Sequence, residues 1–115
     1  MKPEDIHPKF AAAFNAGDIE ALMALFEPEA TLIPTPGQAA TGLDAIRQAL
    51  SSFLATRPNI TVETRQVLLG GDIALLYSRW VLSGAMELAG LGNEVARRQP
   101  DGRWLYVVDN PFAGE

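Results

Sequence analysis

In the first half of the chain, apolar residues recur at helical spacing. Ile6, Phe10, Ala13 and Phe14 fall on one stripe of a helix that opens after Asp5 and that Gly17 is placed to close. Asp18 then caps a second helix, with Ile19, Leu22, Leu25 and Phe26 as its buried face and Pro28 as its stop. The pair is expected to form a hairpin bent at Asn15-Ala16-Gly17-Asp18. Ala30-Thr31-Leu32-Ile33 is a short β-prone run ended by Pro34, and the breaker-rich stretch to Gly42 is expected as loop or irregular strand. A third helix starts at Leu43, with Ile46, Leu50, Phe53 and Leu54 on one side and Asp44, Arg47 and Gln48 on the other; Pro58 ends it.

The second half has the pattern of strands. Ile60 to Leu69 is β-prone, Gly70-Gly71-Asp72 signals a hairpin turn, and Ile73 to Ser83 is a long apolar strand. Met86 to Gly92, with two glycines, is expected as loop. Asn93 to Gln99 is a further strand, Pro100-Asp101-Gly102 a turn, and Trp104 to Asp109 the last strand before Asn110-Pro111. Helices followed by an antiparallel meander imply an α+β layer arrangement with helices on one face of the sheet. The other face must be solvated or buried in an oligomer.

Composition narrows the functions. The 115 residues, 48% of them hydrophobic, suit one domain over residues 1–115. Nine Lys and Arg against 14 Asp and Glu give a net charge of -5, without the basic footprint of nucleic-acid binding or of anionic membrane surfaces. The absence of cysteine excludes disulfides, thiol catalysis and Cys-ligated metals, and one histidine excludes a multi-histidine site within one chain. No metal and no cofactor are expected. The N-terminal residues carry charges and prolines where a signal peptide needs an apolar stretch, and no run suits a membrane span, so a cytoplasmic protein is expected.

Phe14-Asn15-Ala16-Gly17-Asp18, Phe26 to Thr31, and Gly42 to Ile46 together resemble the first half of the SnoaL-like proteins of the nuclear transport factor 2-like superfamily. Arg97 to Trp104 and Asp109-Asn110-Pro111-Phe112 are similar to the ending of an uncharacterised, ketosteroid isomerase-like branch. The resemblance runs from about Ile6 to Phe112. It implies a cystatin-like α+β fold: a cone, formed by a strongly bent, mostly antiparallel sheet wrapped around three helices from the N-terminal half. It also implies a pocket at the wide end and a homodimer through the sheet. Ketosteroid isomerase uses a carboxylate to move a proton, and a tyrosine and a protonated aspartate to stabilise the enolate. The flanking residues put the tyrosine position at Phe10, the base at Pro34 and the second donor near Asn93 to Val95. Phenylalanine has no hydroxyl and proline accepts no proton. Loss of one oxyanion donor costs roughly 10²–10³ in rate, so that mechanism is not expected.

Asp109 is the only candidate catalytic residue. It alternates with Leu105 and Val107, an apolar series that should face the core, where burial would raise its pKa. The alternative is a strand-end carboxylate accepting backbone N–H groups in the Asn110-Pro111 turn. Trp80 shares parity with Leu76, Ser78 and Leu82 and reads either as a stacking wall of the pocket or as core. Trp104 and Tyr106, on the opposite parity from Asp109, should cover the outer face and suit a dimer interface. His7, near the terminus, reads as solvated or packed there, and Arg65 and Arg79 as outward strand positions. Arg97 and Arg98 must split across the sheet unless the strand is irregular, and an inward Arg97 would pair with Asp109.

Three functions fit. The first is binding of a small apolar molecule in a pocket lined by Phe10, Phe14, Pro34, Trp80, Val107 and Asp109. The second is an isomerase, cyclase or dehydratase with Asp109 as acid–base. The third is a dimerisation or assembly module whose cone is filled by its own side chains.

Overall fold

The computed structural model describes residues 1–85 and 87–114. A 3₁₀ turn at Pro3–Asp5 leads into helix α1 (Ile6–Asn15), α2 (Ile19–Met23) and, after two strands, α3 (Leu43–Leu54). The strands are β1 (Phe26–Leu32), β2 (Ala40–Thr41), β3 (Asn59–Gly70), β4 (Ile73–Ser83), β5 (Leu88–Arg98) and β6 (Trp104–Asn110). They form one sheet in the order β2-β1-β6-β5-β4-β3, antiparallel throughout except for the parallel β1–β6 pair.

The helical hairpin forms at the expected bend. Gly17 takes φ +66°, and the Asp18 carboxyl accepts from the backbone N–H of Ala21 at 3.1 Å, which caps α2. Asn15 ties the end of α1 to β3 in both directions. Its amide donates to Ile60 O at 2.9 Å, and its carbonyl accepts from Ile60 N at 2.7 Å. Ile6, Leu22, Ile46 and Leu76 are fully buried where the helices meet the sheet.

Four expectations are corrected. The sheet is not strongly curled into a cone. It is open, with β2 and β3 at its edges, and its β4–β5 pair runs through ten consecutive partners from Ile73 to Leu82 without irregularity. Bulges bend a strand locally. Those at Thr64/Gln66 in β3 and Val95/Ala96 opposite β6 lie at different levels, so they do not combine to roll the sheet up.

The second correction is at α2, which stops at Met23, because Phe26 begins β1 beside Tyr106. Pro28 then sits within β1 at the register break between Phe26 and Thr31, where its missing N–H leaves no gap in the ladder. Third, Leu88 to Gly92 is not loop but the first part of β5; Met86 lies outside the described residues.

The fourth correction concerns β6. Val95 pairs with Val108 and Ala96 with Tyr106, leaving Val107 as an extra residue. This bulge reverses the alternation, so Trp104 and Tyr106 are buried rather than outward, and Tyr106 shares a face with Asp109. The opposite face of the sheet leaves Leu68, Ile73, Val81 and Leu91 exposed.

Candidate functional site

Antiparallel partners point to the same side of a sheet. Thr64, Ser78 and Gly92 therefore form one row across the helix-facing side, and Leu76, Glu94 and Asp109 form the next. From α1, His7 reaches over both rows. Its Nδ1 lies 2.6 Å from Thr64 Oγ1, and its Nε2 is hydrogen-bonded to Glu94 Oε1. The other Glu94 oxygen accepts from Ser78 Oγ at 2.8 Å. His7 is 1% exposed and Glu94 3%, so this is a buried hydrogen-bonded unit with each carboxyl oxygen partnered. Gly92 makes room for it: a Cβ there would stand 2.7 Å from Ser78 Oγ and 3.0 Å from Glu94 Oε2.

Asp109 lies opposite Glu94 and is 8% exposed, yet its carboxyl has no hydrogen-bond partner among the described residues. The Tyr106 hydroxyl is likewise without one. Every fully enclosed polar side-chain atom among the described residues is partnered, so these two groups keep their access to the cavity that both residues line. Burial first, and the neighbouring Glu94 charge second, push the Asp109 carboxyl well above the usual carboxylate range. Burial, then Asp109 and Glu94, likewise raise the Tyr106 phenol well above its ordinary value.

The cavity measures about 90 Å³ and is otherwise mostly apolar. Phe10 and Phe14 stack with centroids 5.9 Å apart, and Phe10 meets the Tyr106 ring edge-on at 6.2 Å. Across from them the Trp80 indole donates to Pro111 O at 2.7 Å and meets Phe112 edge-on at 5.8 Å. Gly90 lies against that indole, so close that a Cβ would come within 2.7 Å of it. No three His, Cys, Asp or Glu side chains converge as metal ligands among the described residues, and none of the helices is long and apolar enough to cross a membrane.

Of the residues singled out in the sequence, Phe10, Phe14, Pro34, Trp80 and Asp109 all line this cavity. Val107 does not; it is the extra, half-buried residue of the β6 bulge. Asp109 does not cap the following turn, because Asn110 Oδ1 accepts from Phe112 N at 3.2 Å instead. Arg97 does not turn inward. It bonds Glu27 at 2.9 Å, while Arg98 bonds Asp72, and both arginines are exposed.

His7, which the sequence reads as solvated or packed at the terminus, is instead buried against Thr64 and Glu94. Tyr106, which it reads as outward, is buried, and the roles of Glu94 and of the Thr64–Ser78 row escape the sequence reading. His7 is spaced three and seven residues before Phe10 and Phe14, a stripe relation visible in the sequence. Glu94 falls inside the Asn93 to Val95 window set by resemblance. Nothing in the sequence marks the bulge that turns Tyr106 inward.

A mixed sheet backed by helices, with a pocket between the layers, is the architecture of the nuclear transport factor 2-like superfamily. The model of the SnoaL-like domain matches residues 8–108, and the chain belongs to that family. It is similar in fold to a candidate calcium/calmodulin-dependent protein kinase type II association domain from Thiobacillus denitrificans. That match has 23% identity and a TM-score of 0.82, covering 95% of this chain and 92% of the other. A ketosteroid isomerase-like protein from Erwinia carotovora atroseptica matches at 21% identity and TM-score 0.75, covering 93% and 89%. A candidate dehydratase of the NTF2-like family from Streptomyces avermitilis matches at 20% identity and TM-score 0.74, covering 92% and 88%. Among curated proteins none matches.

Proposed function

We propose that this chain binds a small, mostly apolar molecule in the pocket between helices and sheet, with one polar end of the ligand against Tyr106 and Asp109. The observation that carries this reading is that two buried polar groups reach a largely apolar cavity without a protein partner. Both groups open onto the cavity, where a ligand's polar end can pair with them. A cavity of about 90 Å³ also argues against an interior filled by its own side chains, which the assembly-module reading requires.

The experiment is native mass spectrometry of the protein taken gently from its own host, paired with Trp80 fluorescence during ligand titration. An adduct kept under native conditions and lost on denaturation, with a change in indole emission, supports the reading. A clean, adduct-free spectrum together with unresponsive emission across a panel of apolar metabolites counts against it.

The buried His7–Glu94 pair beside Asp109 favours a second reading, an enzyme of isomerase, cyclase or dehydratase type. Titratable groups placed side by side in different surroundings are how acid and base roles become separated. The ketosteroid isomerase-like protein and the candidate dehydratase among the similar folds supply the reaction classes. With Phe10 and Pro34 at the tyrosine and base positions, the route would have to run through Asp109. Asp109→Asn discriminates: an enzyme loses turnover, whereas a binder keeps its neutral ligands.

A further inference from the structure

The charge balance of the pocket bears on the ligand's polar end, and the argument rests on the pocket reading above. Glu94 has counter-groups on both oxygens, His7 and Ser78. Asp109 has none. Across the sheet it faces Glu94 on β5 and Leu32 on β1, and Tyr106 lies beside it on β6. His7 of α1 stands behind Glu94, and Arg97 and Arg98 point away to Glu27 and Asp72. The other walls that matter are the rings of Phe10, Phe14 and Trp80, whose π-faces are electronegative and attract cations.

We propose that the pocket takes a small organic amine, its ammonium seated on the Asp109 carboxylate and the Tyr106 hydroxyl oxygen, its hydrocarbon part among Phe10, Phe14 and Trp80. An ammonium brings donors and no acceptor, which matches two oxygens that lack donors from the protein. The cavity of about 90 Å³ is several times the roughly 10–15 Å³ that a single water needs, so it has room for more than solvent. Burial and the Glu94 charge bias Asp109 of the free protein toward its protonated form. Where it carries the proton, the arriving ammonium displaces it: the Asp109 O–H bond breaks, the proton leaves to solvent, and the carboxylate pairs with the cation. A neutral oxygen ligand would leave that proton in place.

Calorimetry with benzylamine and the shape-matched benzyl alcohol, at about pH 7 in phosphate and in Tris, tests the assignment. The difference in heat between the two buffers counts protons. Expected are benzylamine binding at least about tenfold tighter than the alcohol, more proton release with the amine than with the alcohol, and collapse of that preference in Asp109→Asn. Thermal melting confirms that the variant is folded. Alcohol binding as tightly as the amine, or a preference for the amine that survives in Asp109→Asn, overturns the amine assignment and leaves the pocket reading standing. If neither probe binds and Trp80 emission stays unchanged, both fail.

Discussion

Asp109 holds its proton more tightly in the folded chain than in the unfolded one, because burial and the Glu94 charge both oppose ionisation. The stability linked to this group is fully present below the unfolded carboxyl pKa of about 3.9. It is lost as pH rises through the elevated folded value. Asp109→Asn removes that liability without changing shape. The variant should melt a few degrees above the parent at about pH 7, with the gap closing as pH falls toward about 4. Melts followed by circular dichroism across that range check this, and a variant less stable at every pH would mean that the carboxyl has a structural partner. Gly92→Ala should act in the opposite direction. Its Cβ would displace the Ser78 hydroxyl from Glu94, at a cost of about 1–3 kcal/mol in denaturant unfolding. At this scale the apolar walls were legible, since Phe10, Phe14 and Trp80 follow from helical spacing and strand parity. The polar centre was less so, because His7 and Glu94 become partners only when residues 87 positions apart meet.

The elements show which patterns a sequence can carry. Helices α1 and α3 follow from apolar stripes, breakers and glycine positions, all of them local. The end of α2 does not, because whether Leu25 and Phe26 finish a helix or start a strand depends on Tyr106, whose N–H bonds Leu25 O at 2.7 Å. Gly90 and Gly92 read as loop from composition, yet they sit in β5 because Trp80, Ser78 and Glu94 need the space above them. The join between α1 and the sheet depends on Asn15. Asn15→Ala deletes two hydrogen bonds to Ile60 and leaves that backbone pair without its partner, so a loss of about 1–3 kcal/mol is expected. The same variant should speed hydrogen exchange at the Ile60 amide. Exchange unchanged there would show that the clamp is not what holds this end of β3.

For the whole molecule, the side of the sheet away from the helices is what bears on assembly. Leu68, Ile73, Val81 and Leu91 are exposed there, with half-buried Leu75, Tyr77 and Val95 sharing that side. In the proposed homodimer this surface is the interface, and Val81→Lys combined with Leu91→Lys should give monomers in multi-angle light scattering. A parent chain that is monomeric at about 100 µM, well above ordinary dimer constants, would remove that proposal. Because the sheet is open and not curled, its outward side remains broad enough for such a contact while the pocket lies behind it. The surplus residue Val107 links this architecture to the gene. An in-frame deletion of its codon would leave Tyr106 and Asp109 two positions apart, which in a regular strand is the same face, so the polar pair survives loss of the bulge. Lineages sharing this fold can therefore gain or lose the surplus residue and keep the polar pair, at a spacing of two or of three. An alignment that closes such a gap will match Asp109 with residues on the wrong side of the sheet.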